Sequence, residues 1–153
     1  MTPVVPLDCV VDASVGIKLF VVEPLSDAAH ALFAGLASDP PARLYVPGLF
    51  YIECTNILWK YVQRHGYPAE NAQQDMADLV RLPLLTVPAA DLAGEALALA
   101  LMHHITAYDA AYVALSSRLS VPLVTADASL VRRLAGSSLD VRWLGDRAGG
   151  DSS

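Results

Sequence analysis

The stretch Thr106–Leu130, TAYDAAYVALSSRLSVPLVTADASL, decides how the chain folds. Thr106-Ala-Tyr-Asp109 has the form of a helix start, a hydroxyl cap followed three residues later by an acid. Ala110, Val113, Ala114 and Leu115 carry an apolar helical face toward Leu119. Ser120 and Pro122 break the helix, because proline has no amide hydrogen and clashes with the preceding turn. Leu123-Val124-Thr125 then reads as a short buried strand, with Asp127 just beyond it. A helix from Asp109 to Leu119 climbs about 15 Å. A strand from Val121 to Thr125 returns by about 13–17 Å. If the two run antiparallel, Asp109 and Asp127 face each other at one edge. Two carboxylates at the open end of a sheet repel unless a cation or a shared proton settles them.

Working outward, strands and helices alternate along the chain. Leu7–Val11 reads as a buried strand closed by Asp12-Ala13-Ser14, and Val15–Val22 as a short helix with Lys18 on its polar side. Ser26 or Asp27 caps a second helix reaching about Ala37. Leu44–Val46 is the second strand, ended by Pro47-Gly48. A long helix runs from Leu49 to His65 and is stopped by Gly66 and Pro68; another covers Pro68–Arg81. Leu84–Val87 is the third strand, and Ala89–His103 an Ala/Leu helix. After the key stretch, Ala128–Leu134 is a short helix and Leu139–Trp143 the last strand. Residues 1–144 form one domain, and the Gly/Asp/Ser-rich segment 145–153 is expected to be a disordered tail. The alternation predicts an α/β fold in three layers, a mostly parallel sheet of four or five short strands between helices.

Composition limits the function classes. A chain of 153 residues can bury one sizeable core. Apolar residues make up 54% and the mean hydropathy is +0.41, so some apolar surface is expected to face a partner chain. No apolar run approaches the roughly 20 residues that a membrane helix needs. The beginning, MTPVVPLDCVVDAS, lacks a basic region and makes a poor signal peptide. Cys9 and Cys54 form neither a disulfide framework nor a zinc spacing and read as small buried hydrophobes, so a cytoplasmic setting is expected. A net charge of −6 argues against a general nucleic-acid coat protein. It does not exclude a nuclease, because acids that hold a divalent cation count as negative in that sum.

Four acids stand out by where the pattern puts them. In parallel sheets, ligands bind beyond the carboxyl ends of the strands. Asp12 ends the first strand, Asp127 ends the strand at Leu123–Thr125, and Asp109 opens the helix before it. Glu53 lies just over one turn into the helix that follows Val46. Each has a plain alternative: Asp12, Asp109 and Asp127 suit helix starts, and Glu53 could pair with Lys60 on its own helix. Those alternatives do not explain why all four fall on one edge. Glu53 also sits among Phe50, Ile52, Cys54 and Ile57, where a charge needs a partner or a shifted pKa. An oxygen-only set suits Mg²⁺ or Mn²⁺ rather than zinc. Asp12, Asp109 and Asp127 are the expected ligands, with Glu53 as a further ligand or a base that positions water. Ser14 and Thr125 are placed to steady ligands or bound water. Asn56, at the next turn from Glu53, shares its polar strip. His103 and His104 end a helix and read as structural, while Arg132, Arg133, Arg64 and Lys60 read as a solvated face. Tyr108 and Tyr112, flanking Asp109, read as core packing.

With these motifs in order, the sequence resembles the PIN-domain family, specifically its VapC-type toxin ribonucleases. The resemblance covers about Leu7 to Trp143. It rests on Val-Val-Asp12-Ala-Ser14 followed by Lys18, Glu53-Cys-Thr-Asn56-Ile-Leu, Tyr108-Asp109-Ala-Ala-Tyr112-Val-Ala-Leu, and Leu-Val-Thr125-Ala-Asp127. It implies a Mg²⁺- or Mn²⁺-dependent endoribonuclease, the toxin of a type II toxin–antitoxin pair, cutting structured RNA such as tRNA or rRNA. Asp12, Glu53, Asp109 and Asp127 match the family's acidic quartet, Thr125 its hydroxyl residue before the last acid, and Asn56 its Asn after the Glu. It further implies a homodimer and a small antitoxin whose C-terminal tail occupies the acidic groove. Two rival readings remain open here. One is a phosphotransfer or phosphohydrolase domain with an Asp nucleophile, although no acid neighbours Asp12 and Ser14 stands where such a site wants a second one. The other is a non-catalytic module whose groove accepts a basic peptide.

Overall fold

A computed structural model describes residues 7–148. Strands β1 (Cys9–Val11), β2 (Leu44–Pro47), β3 (Leu85–Val87), β4 (Leu123–Thr125) and β5 (Val141–Trp143) form one sheet in the order β3-β2-β1-β4-β5. Every pairing is parallel, so the expected sheet is parallel throughout. The two strands beside the centre explain their sequences. All three residues of β1 and of β4 are buried, so neither shows an alternating polar face. At the edges, β3 and β5 are only partly covered.

Helix α1 (Ala13–Gly16) and a 3-10 turn at Ile17–Leu19 follow β1, and α2 (Ser26–Ala34) precedes β2. Helices α3 (Leu49–His65) and α4 (Ala69–Leu79) link β2 to β3; α5 (Ala89–His103) and α6 (Ala107–Leu119) link β3 to β4. Helices α7 (Ala128–Leu134) and α8 (Leu144–Ala148) flank β5. Parallel crossovers are right-handed. The chain moves outward from β1 to β3 and then back past it to β4 and β5, so the two sets of connections lie on opposite faces. This is the expected three-layer arrangement. Helix α6 packs over β1, β2 and β4, and residues 110–116 are buried all round it.

Some expectations shift. The first helix starts earlier and stops sooner than Val15–Val22, at Ala13–Leu19 with its 3-10 turn. Lys18 is not on a polar face: it is buried and paired with Glu23 at 2.9 Å, where Tyr61 also donates its hydroxyl to Glu23. A buried ammonium needs such a partner, and a sequence pattern does not reveal that Tyr61 of α3 closes over the pair from 38 residues beyond Glu23. The segment expected to be disordered begins as helix α8, held by the buried Leu144; residues 149–153 lie outside the described residues.

Candidate active site at the carboxyl edge of the sheet

Strand order reverses at β1: the chain first grows toward β3, then returns to β4 on the other side. Such a switch point leaves a crevice between the carboxyl ends of the two central strands. Asp12 stands at the end of β1, and Thr125 and Asp127 at the end of β4. Asp12 is 7% exposed. Its Oδ1 accepts the Ser14 hydroxyl at 2.5 Å and the Val15 amide at 3.3 Å; its Oδ2 accepts the Thr125 hydroxyl at 2.5 Å. Asp12 is thus the cap of α1, as its plainer reading held, and is also gripped from β4. Ser14 Oγ accepts the Ala126 amide and Thr125 Oγ1 accepts the Asp127 amide, each at 3.0 Å. Two hydroxyls therefore tie the β1 and β4 ends into one unit, with their protons aimed at a single carboxylate.

Glu53, half-buried on α3, does not pair with Lys60 among the described residues. Its Oε1 accepts the Tyr112 hydroxyl at 2.6 Å. Tyr112 is among the largest fully buried side chains, so the expectation of core packing is right for its ring and incomplete for its hydroxyl. Tyr108, by contrast, is 65% exposed rather than packed. The two share a helix face, four residues apart, and differ along the axis: Tyr108 lies in the first turn of α6, ahead of the buried run that begins at Ala110. Asp109 sits in the first turn of α6, where Thr106 Oγ1 accepts its amide at 3.1 Å. Asp127 caps α7 by accepting the Ser129 and Leu130 amides at 2.9 and 3.2 Å. Asn56 is exposed and makes no side-chain hydrogen bond among the described residues.

Asp109 acts on both Asp12 and Glu53, and Asp127 acts on Asp109. Burial pushes Asp12 up to about 6, against the hydroxyl and amide bonds that favour its charge, and Asp109 adds to the rise. Glu53 is raised by burial, offset by Tyr112, with Asp109 again contributing. Asp109 is raised by burial and then by Asp127, with Thr106 and Arg133 opposing. Asp109 is thus the hub of a like-charge cluster joining all four. Its antiparallel seating against β4 brings it to Asp127, and both line a cavity of about 230 Å³ with Thr106, Ser129 and Arg133.

The chemistry of this donor set fits a hard divalent cation of the Mg²⁺ class. Among the described residues, no three or more His, Cys, Asp or Glu form a group that could hold a metal ion between them. Mg²⁺ does not require one, since it keeps several waters and is held by one or two carboxylates together with substrate phosphate. Asp12 has capacity for such a contact. A carboxylate has about four acceptor positions; two on Oδ1 and one on Oδ2 are filled from within the chain, leaving one on Oδ2.

The PIN domain family model matches residues 9–136. Ribonuclease VapC3 of Pyrobaculum aerophilum is 33% identical over 126 residues, covering 81% of this chain and 92% of that protein. The crystal structure of PAE2754, also from Pyrobaculum aerophilum, superposes with a TM-score of 0.63 at 25% identity, covering 93% of this chain and 97% of the other. A toxin–antitoxin complex from Klebsiella pneumoniae has a chain that superposes with a TM-score of 0.60 at 18% identity, covering 88% and 95%, a likeness of fold. The chain belongs to the PIN domain family, and within it to the VapC type.

Proposed function

We propose that this protein is a Mg²⁺- or Mn²⁺-dependent endoribonuclease and the toxin of a toxin–antitoxin pair, acting in the cytoplasm on structured RNA such as tRNA or rRNA. The single observation that carries the reading is the carboxylate of Asp12. It is buried at the switch point, held by hydroxyls from two elements, and coupled to three further acids through Asp109. Acids coupled in this way, with little neutralising charge among them, support a reading in which a cation and a phosphate meet there. The ribonuclease name of the similar Pyrobaculum aerophilum protein supports RNA as the substrate class.

Of Asp12, Asp109 and Asp127, one or two would hold the cation directly and the rest through its waters. When bound, it supplies positive charge to the phosphate and a water of lowered pKa. Glu53 serves as the base that orients the attacking water, its carboxylate aimed by the Tyr112 hydroxyl. Ser14 and Thr125 keep Asp12 ionised and stationary, which is the function of groups behind a ligand. Attack in line forms one P–O bond as the ester P–O bond to the leaving oxygen breaks. Asn56, exposed one turn from Glu53, is assigned to the RNA-facing side of the same strip.

An antitoxin is the second proposed partner, a reading supported by the fold shared with a chain of the Klebsiella pneumoniae complex. A homodimer is the third. Leu97, Leu101 and Met102 of α5 are exposed apolar side chains on one helix, a concentration that a solitary subunit rarely leaves in water.

The test is direct. Purified protein is incubated with tRNA and rRNA fragments, with Mg²⁺, with Mn²⁺ and with chelator. Cleavage that requires the cation and disappears in Asp12→Asn is the expected result. Cation-independent cleavage, full activity of that variant, or an acyl-phosphate trapped on Asp12 would overturn the assignment.

A further inference from the structure

Arg133 is a basic side chain set beside two of the acids. On α7 it lines the same cavity as Asp109 and Asp127. Among the causes that shift Asp12, Glu53 and Asp109, it is the one basic group, and it acts on Asp109. Its guanidinium is exposed, and one nitrogen, Nη1, donates to the His104 carbonyl at 3.3 Å. That long bond occupies one of five donors in a rigid fork. The remaining donors are free to meet planar oxygens. Arg132, its neighbour on α7, is exposed as well but does not line the cavity.

A polyanion approaching this edge meets four carboxylates in a chain whose net charge is −6. A cation between the acids neutralises a phosphate at the reacting centre and does nothing for the next phosphate along the strand. A guanidinium on the rim of the same cavity is suited to that adjacent phosphate, because Arg binds phosphate oxygens through two parallel N–H bonds. The bond to His104 gives the arm a fixed origin at the end of α5, so less side-chain entropy is lost when RNA arrives.

We infer that Arg133 is a substrate-positioning residue that grips an RNA phosphate next to the scissile one, across the cavity it shares with Asp109 and Asp127. The inference rests on the ribonuclease reading above. It assigns Arg133 to binding and register rather than to bond breaking. Loss of one phosphate contact lowers the slope of log K against log salt by roughly 0.7–0.9. Near 0.1 M salt this corresponds to about five- to tenfold weaker binding.

The experiment compares Arg133→Gln, Arg133→Lys and Arg132→Gln. Glutamine keeps a donor for the His104 carbonyl and removes the charge, so it separates a phosphate grip from a merely structural tie. RNA binding is measured with chelator present across a salt series, and steady-state cleavage is measured with Mg²⁺ or Mn²⁺. Arg133→Gln is expected to bind about five- to tenfold more weakly, with a shallower salt slope and KM raised more than kcat falls. Arg133→Lys should fall between it and wild type, and Arg132→Gln should match wild type. Thermal melting of each variant shows whether the fold is kept; were Arg133→Gln to melt early, the lysine variant alone carries the comparison. Equal losses in Arg132→Gln and Arg133→Gln, an unchanged salt slope in Arg133→Gln, or a defect confined to kcat would overturn the inference. Wild-type protein that cleaves no RNA under any cation would instead remove the ribonuclease reading beneath it.

Discussion

Asp12 carries two opposing demands. Burial favours its neutral form, whereas two donated hydroxyls and the Val15 amide favour its charge. The sign of the resulting pH dependence follows. In the unfolded chain the carboxyl ionises near its ordinary value of about 3.9; in the folded protein without metal it is pushed up to about 6. Between those values the folded state binds more protons, so stability falls as pH rises from about 4 to 6. The span corresponds to an effect of order 3 kcal/mol. Chemical denaturation of metal-free protein at about pH 4 and about pH 7, on either side of that window, should show the lower stability at the higher pH. The slope should flatten in Asp12→Asn. Cleavage should run the other way, rising with pH through the same window as the carboxylate becomes available. At Glu53 the matching change is Tyr112→Phe, which removes one buried hydrogen bond and little volume. Loss of a bond to a charged group costs about 1.5–3 kcal/mol. If the hydroxyl aims Glu53 during the reaction, kcat should fall by about tenfold or more for each 1.4 kcal/mol of that loss reaching the transition state, read from single-turnover cleavage.

At the scale of elements, the site depends on how closely α1 and α3 approach. Gly16 permits it: a Cβ there would stand 2.6 and 2.8 Å from the Phe50 ring and 3.6 Å from Cys54 Sγ. Phe50 is fully buried, so its ring has nowhere to retreat. Gly16→Ala should therefore force α1 and α3 apart. Overpacking of this kind costs about 1–3 kcal/mol, measurable as a lower melting temperature. Because α1 follows Asp12 and α3 bears Glu53, cleavage in that variant should fall beyond the loss of folded protein. Lys18 in the 3-10 turn that follows α1, Glu23 in the loop beyond it, and Tyr61 on α3 make a second tie nearby. Their pairing was hidden in the sequence, where Lys18 reads as one polar residue on a short helix. The helix that opened the reading behaved as its letters imply: Thr106 caps it, Ser120 ends it with φ 54°, and β4 follows at Leu123.

At the scale of the whole molecule, a single parallel sheet with one reversal of strand order creates one crevice, between the ends of β1 and β4 that Asp12 and Asp127 follow. The apolar composition has its counterpart on α5, where Leu97, Leu101 and Met102 face outward. If they meet a second copy, Leu101→Glu should lower the solution mass toward that of one chain, 16.3 kDa, in light scattering, with little change in melting at low concentration. A mass unaltered by the substitution would place the dimer contact elsewhere or remove it.

The letters alone specify the local events. Proline, glycine and hydroxyl residues punctuate the chain, and β-branched and aliphatic runs between them make buried strands, because these depend on neighbours a few residues apart. Acids at strand ends and helix starts are legible for the same reason, and parallel topology then predicts a common edge. What only the tertiary structure decided are partnerships across the fold. Thr125 and Ser14 both donate to Asp12, Tyr112 donates to Glu53 from a different helix, and Arg133 comes to the rim beside Asp109. Side chains more than a hundred residues apart in sequence, such as Asp12 and Thr125, meet only because β1 and β4 pair side by side. Neither spacing nor periodicity along one chain encodes the distance between two chain segments; packing does.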